Sequence, residues 1–476
     1  MRLIFEKFYI FFILATLAAA LLLYASNLNY FFFQDDFYEI IIAKAYSIQE
    51  FLSLFDFQQN RSSYRPIGLG LYFFLSSKIF GLNATVFRLI SWLFLIMSYF
   101  LIIKIISNIT KDRLVGFLTA FFWLTSSIHF MSLAWLAAAW LIIGTFFTLL
   151  TSLCYLRFVK EKKRSYYLLS IFLFLVALCS SEFAISWPVT FGLYHFLILK
   201  KRLNDALKIF APFVLIAIFY SFLRYKYSTL PQIQEYLVTF NLESLKAYFW
   251  YLLWTFNIPE EFKKQIVTNL IVFNPVFLKE FWPLVLRSFL GAILVILFGI
   301  IIPAFYILKK QSSFNAAVII FAITWFTAGI LPVLIIPNHT FSMYLTYPAI
   351  GVYFLIAYNL VKYLKPITIM SISLIWLFTS NSTVSFYKDS SWIIESQRFA
   401  KEFATTIKEN FPALPSNSAL LYPLEEKRHI QALSNQNAIK VIYNDPSIKI
   451  YYNRDEFERD LKEGKINKDK TYIYEK

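Results

Sequence analysis

The chain has only two cysteines in 476 residues, Cys154 and Cys179. Both fall within apolar stretches, read as packing residues and carry no information on redox compartment. There is no CxxC pair, no HExxH, no GxSxG and no glycine loop of the nucleotide-binding kind. Catalysis driven by cytosolic nucleotides is therefore not expected, and no nucleotide cofactor is implied. Tandem repeats, low-complexity tracts and disordered tails are also missing. Acids are scarce, with 29 Asp and Glu against 45 Lys and Arg, so the places where acids gather carry weight.

Apolar residues fill the space these absences leave. Hydrophobic residues make up 58% of the chain and aromatics 20%, and the mean hydropathy is +0.58. A water-soluble fold of that composition could not cover its apolar surface, so the class expected is a polytopic α-helical membrane protein. The net charge of +16 sits in short clusters between apolar spans: Arg2 and Lys7, Lys104 to Arg113, Arg157 to Arg164, Lys200 to Arg202, Lys309 and Lys310, Lys362 and Lys365. This is the inside-positive pattern of cytoplasmic loops rather than a phosphate-tracking groove. Membrane lipids are expected partners and nucleic acid is not.

Apolar windows give about eleven spans, centred near Leu17, Leu95, Phe121, Ile142, Phe174, Thr190, Leu215, Val295, Ile323, Phe354 and Leu374. With the amino terminus inside, every basic cluster falls on one side, which places the carboxyl terminus outside. The first span also has the basic start and apolar centre of a secretory signal, but it is long for one and fits the parity as a retained helix. Residues 1–380 form the expected membrane domain. Its outer loops 25–84 and 224–283 are too long to be connectors and carry amphipathic segments that would roof a cavity. Residues 381–476 turn polar and read as a small outward α/β domain. The strands expected there are "ALLY", "AIKVIYN", "IKIYYN" and "TYIYE", beside the helices "WIIESQRFAKEFATTIKENF" and "RDEFERDLKEG". Compact loops and the lack of an evident sorting signal point to a prokaryotic plasma membrane; a eukaryotic reticulum membrane would give the same topology.

The first outer loop opens with "NYFFFQDDFYEIIIAKAY". Asp36 and Glu39 have the spacing of a capping box for a helix running Phe37 to Phe55. That leaves Asp35 as an acid among aromatics beside the membrane, costly unless something uses it. Glu182, in "LCSSEFAISWP", is either a second functional acid or part of a solvated turn. Arg61 and Arg65 in "NRSSYRPIGLGLYFF", which flank Tyr64, and Arg88 further on, run against the inside-positive bias. Their planar forks suit a phosphate, and snorkelling to headgroups is the plain alternative. Four histidines occur, His129, His195, His339 and His429, each individually more at home in a structural role. The stretch "LPVLIIPNHTFSMYLTYPAIG" nevertheless gathers Asn338, His339, Tyr344 and Tyr347 on the outer side, and with His129 these join the site candidates.

The acidic pair after the first span, "YRPIGLGLYFFLSSKIFGLNATVFRLISW", "SSEFAISWP" and "LPVLIIPNHTFSMYLTYPAIG", in that order and sidedness, resemble the GT-C superfamily of membrane glycosyltransferases, nearest the branch of protein O-mannosyltransferases. The likeness covers most of the membrane region and fades in the terminal domain. Ser181 stands where relatives often carry Lys, and "SSIHFMSLAW" keeps His129 but has Phe130 and no following acid. The resemblance implies a polyprenyl-phosphate-linked sugar donor, carrying mannose or another hexose or pentose, and a protein, lipid or glycan acceptor on the outer face. It makes Asp35 first, and Asp36 second, the residues of the catalytic loop, and matches Glu182 to a motif acid. The residue types then fit an inverting single displacement with Asp35 as base and Arg65, helped by His339, at the leaving phosphate. Asp35, Asp36 and Glu182 are hard-oxygen groups that could hold a divalent Mg or Mn, and that requirement stays open. Two other classes compete: a transporter or flippase of lipid-linked sugars, and an inactive membrane scaffold with a partner-binding outer domain.

Overall fold

The computed structural model describes residues 2–58, 63–228, 233–266, 272–310 and 313–474. The chain opens with α1 (Arg2–Lys7) and α2 (Tyr9–Tyr24), and its first long loop carries α3 (Asp35–Ile42), α4 (Ile48–Ser53) and α5 (Tyr72–Phe80). The central run is α6 (Ala84–Thr110), α7 (Arg113–Leu124), α8 (His129–Ala134), α9 (Trp140–Glu161), α10 (Arg164–Ser180), α11 (Trp187–Leu193) and α12 (Leu203–Tyr227). A second long loop holds α13 (Leu242–Trp254), and α14 (Pro275–Ile296), α15 (Ile302–Lys310), α16 (Ser313–Leu334), α17 (Ala349–Tyr363) and α18 (Pro366–Ser390) follow. The terminal segment contains α19 (Trp392–Asn410), β1 (Ala419–Leu421), α20 (Lys427–Ala432), α21 (Asn437–Ile442), β2 (Lys449–Tyr451), α22 (Arg454–Lys462) and β3 (Thr471–Ile473).

Among the described residues, 7 helical stretches are long and apolar enough to cross a membrane: Tyr9–Asn29, Ala84–Thr110, Leu136–Glu161, Leu203–Tyr227, Pro275–Tyr306, Ala316–Leu334 and Pro366–Ser390. The protein is an α-helical, multi-pass membrane protein. Four expected spans are shorter helices instead: α7 with 12 residues, α10 with 17, α11 with 7 and α17 with 15. In α7 every residue from Leu114 to Leu124 is buried, and in α17 all but Leu355 from Ala349 to Leu360. A helix that is apolar all round is enclosed by its neighbours. A hydropathy window cannot separate such a core helix from one that faces lipid.

The helix expected from Phe37 to Phe55 is broken in two. The α3 helix stops at Ile42, and a new start forms at Ser47, whose side chain accepts the Glu50 N–H at 3.1 Å while the Glu50 carboxylate takes the Tyr46 N–H at 2.6 Å. The pairing of Ser47 with Glu50, three residues on, is a start signal lying inside the apolar run. Close packing then sets the turn after α10. A Cβ on Gly144 would lie 2.2 Å from the Ser181 Cβ, and one on Gly68 would lie 2.3 Å from the Ser180 carbonyl oxygen. Only glycine lets α9 and the segment before α5 approach this turn so closely.

In the terminal segment β1 lies between β2 and β3, both parallel to it. The stretch "AIKVIYN", expected as a strand, is helix α21 and lies between β1 and β2 in the chain. Parallel neighbours need a crossover, and a short apolar run fits a buried helix face as well as a strand. The α19 helix buries Ile393, Ile394, Gln397, Ala400, Phe403 and Ile407 along one stripe, the amphipathic pattern its sequence carries.

A buried polar knot ties the bundle together. Asn257, at φ 61°, accepts the Ser127 N–H at 2.8 Å through Oδ1, and its carbonyl accepts the Thr383 hydroxyl at 2.5 Å. Asn257→Ala should lower stability by about 1–3 kcal/mol by orphaning a buried N–H at a position that also disfavours alanine. Thermal melting in detergent measures this; an unchanged midpoint would show that the knot contributes nothing.

Candidate functional site

The "QDD" corner is held in an unusual backbone state. Gln34 has φ 49° and ψ −126°, strained for a residue with a side chain. Its N–H donates to the Ala432 carbonyl of α20 at 2.8 Å. Arg88 braces the approach to the corner from a fully buried position. Its Nη1 donates to the carbonyls of Tyr30 at 2.6 Å and Ala84 at 3.2 Å, and its Nη2 to those of Phe31 at 3.2 Å and Ala134 at 2.9 Å. Gln397 of α19 accepts the Phe31 N–H at 3.2 Å. Arg88, expected as a phosphate ligand, is instead fully buried and committed to backbone carbonyls.

The two aspartates separate cleanly. Asp36 is fully buried, with Oδ1 accepting the Ala137 N–H at 2.7 Å and Oδ2 reaching back to the Phe33 N–H at 3.2 Å. It serves as the far acid of a cap rather than as its first residue, and it lies outside the site. Burial pushes its carboxyl up to about 7, against the pull of Arg88 and the two N–H donors. The Asp35 side chain makes no hydrogen bond or ion pair to the described residues. Its side chain is exposed, yet the apolar mass around it raises the carboxyl above the usual range.

Across from this corner lies an arginine pair. Arg65, kept out of the helical region ahead of Pro66 at φ −139° and ψ 58°, donates Nε and Nη2 to the two oxygens of Glu182 at 2.9 and 2.7 Å. Its guanidinium lies 3.3 Å from the ring centroid of Trp140, the first residue of α9. Arg224, in the last turn of α12, adds a contact to Glu182 at 3.3 Å, while its Nη1 is buried with no partner. Burial alone would push the Glu182 carboxyl up, but Arg224 and Arg65 outweigh it and hold it well below the usual range. Glu182 is thus a fixed anion rather than a proton carrier. Two guanidiniums against one carboxylate leave one net positive charge and an unused N–H, the complement of a phosphate.

Aromatic rings join the corner to the pair. Tyr236 stacks on His339 with centroids 4.3 Å apart, and its hydroxyl feels both Asp35 and Arg65. Burial and Arg65 push His339 down to about 4, so it is neutral near pH 7 and cannot offset charge as a cation. Asn338 is exposed and donates to the Gln234 carbonyl at 3.3 Å, tying this loop to the Tyr236 turn. Tyr344 is a buried wall residue 6.1 Å from His339 and 6.5 Å from Trp140. Glu39 lines a small crevice together with Arg65. Tyr64 stacks on Phe57 at 3.4 Å and donates to the Phe55 carbonyl at 2.9 Å, which fixes the start of the Arg65 segment.

Three further candidates fall elsewhere or cannot be placed. His129 is fully buried, with Nε2 bonded to the Trp123 carbonyl at 2.8 Å, and burial pushes it down to about 3. Tyr347 packs on Trp325 inside the bundle. Arg61 lies outside the described residues. The trio Asp35, Asp36 and Glu182 does not form a metal-ligand set, because both oxygens of Asp36 and of Glu182 are already engaged. The described residues contain no group of three or more His, Cys, Asp or Glu that could hold a metal. Sequence reasoning missed Arg224, Trp140 and Tyr236. Arg224 had the signal used for Arg65, an arginine against the inside-positive bias, whereas the other two are aromatics among many. No family model and no curated protein matches the chain.

Proposed function

We propose that this protein is a GT-C-type membrane glycosyltransferase that moves a sugar from a polyprenyl-phosphate carrier to an acceptor hydroxyl. The observation that carries this reading is the pairing of an unpartnered carboxylate, Asp35, on a strained corner with a net-positive arginine pair, both acting on Tyr236. Strain concentrated beside an unsatisfied acid is what a reactive position looks like. The proposal includes eleven crossings, with α7, α10, α11 and α17 as the short ones. It also puts the amino terminus in the cytoplasm, the α3–α5 roof and the terminal α/β domain outside, and the whole in a prokaryotic plasma membrane.

In the reaction, Asp35 accepts the proton of the acceptor hydroxyl as its oxygen attacks the anomeric carbon. The bond from that carbon to the phosphate oxygen breaks, and its electron pair leaves with the polyprenyl phosphate. Arg65 and Arg224 offset the charge that grows there, and one displacement inverts the anomeric configuration. His339, neutral and stacked on Tyr236, shapes the sugar side rather than neutralising phosphate.

The test is sugar release from radiolabelled polyprenyl-phosphate sugars by purified protein in lipid, with product configuration read by NMR. Donor-dependent transfer with inversion is expected. Donors that bind and cross the bilayer uncleaved would make the protein a transporter, and donors that neither bind nor react would leave a scaffold.

A further inference from the structure

The end of α3, helix α5 and helix α21 of the terminal segment enclose a cavity of about 340 Å³. Ile40, Phe74 and Val441 make it apolar, while Lys44, Ser77 and Lys78 bring polar groups to its wall, and no carboxylate lines it. Lys44 donates to Asn444 Oδ1 at 2.8 Å, so one of its three N–H bonds is used and two remain. Lys78 by itself would be the ordinary cation of a last helical turn. That account leaves the second lysine, which comes from another element and meets it across a cavity, unexplained.

The surroundings add a second constraint. On α4 and α5 and just beyond, Ile48, Leu52, Leu75, Ile79, Phe80 and Leu82 are exposed, Ile48 by 80% and Ile79 by 64%. Helices that turn such residues outward beside a membrane bundle lie in the interface, apolar side in the lipid. A ligand for this place therefore needs a compact anion and an apolar tail together.

We infer that the cavity between α3, α5 and α21 holds the phosphate headgroup of an anionic membrane lipid, with its chains running over α4 and α5. The lipid joins the membrane bundle to the terminal segment, since Lys44 belongs to one and Asn444 and Val441 to the other. This inference is independent of the sugar-transfer reading.

The experiment embeds the full-length protein in phosphatidylcholine nanodiscs doped with phosphatidylglycerol and counts retained lipids by native mass spectrometry. Wild type should retain phosphatidylglycerol selectively. K44Q/K78Q should lose that selectivity about tenfold, K44R/K78R should keep it, and K401Q, an exposed site on α19, should leave it unchanged. Equal melting curves for the four proteins would show that folding is not the cause. Equal retention of both lipids by wild type, or unchanged selectivity in K44Q/K78Q, overturns the assignment. Displacement of phosphatidylglycerol by millimolar inorganic phosphate would make this a free-anion site and overturn the lipid as its occupant.

Discussion

Glu182→Gln is expected to be strongly destabilising, by about 1–3 kcal/mol, because it leaves the half-buried Arg65 and Arg224 guanidiniums without their shared anion. The loss should appear as a large fall in melting midpoint in detergent. Replacing Arg65 and Glu182 together with methionine should recover part of it, since one of the two uncompensated charges goes and only Arg224 is left without its anion. The acid side gives an independent check. The folded Glu182 carboxyl is held well below its ordinary value of 4.5, so its contribution is complete above that pH. It fades as the pH falls below 4.5 toward the folded value. Wild type should lose stability over that range, and Glu182→Gln should show a flatter acid limb. A variant that melts with wild type at pH 7 would mean that the arginines find water or another partner.

Asp35→Asn is expected to lower donor-dependent transfer by about 10²–10⁴-fold while leaving the melting midpoint nearly unchanged. The Asp35 carboxylate makes no bond to the described residues, so the fold loses little with its charge. Asp36→Asn should do the reverse. It replaces one acceptor of two buried N–H bonds with a donor and should cost about 1–3 kcal/mol, with activity falling only as far as the corner loosens. The proton acceptor must be ionised, and the Asp35 carboxyl is raised above the usual range. Transfer by wild type should therefore fall on acidification at a pH above that of an ordinary aspartate. Full activity in Asp35→Asn, or an activity loss confined to Asp36→Asn without unfolding, would exchange the two roles or remove the base from this corner.

Much of this arrangement was legible because polar groups are rare in the chain. Each acid, and each arginine outside the basic clusters, stood out from apolar surroundings, and Asp35, Arg65 and Glu182 were singled out that way. Roles were harder to read than positions. Arg88 and Arg65 look alike in the sequence, yet one has carbonyls within reach and the other a carboxylate, and that depends on how α5 and α6 pack. His129 and His339 differ in the same way. The fold was legible as an apolar helical bundle, but the windows around Phe121 and Phe354 could not reveal helices enclosed on all sides. Nor could alternation within "AIKVIYN" reveal a crossover helix between two parallel strands.

The hydrogen bond from Gln34 to the Ala432 carbonyl has a consequence in time as well as space. Gln34 and Ala432 stand 398 residues apart, so a group that holds the corner emerges from the ribosome long after the corner itself. A nascent chain would carry Asp35 on an unsecured loop while its membrane helices are already inserting. The corner would be secured only once α20 has been made, and a product cut short before α20 would sit in the bilayer with Gln34 unheld.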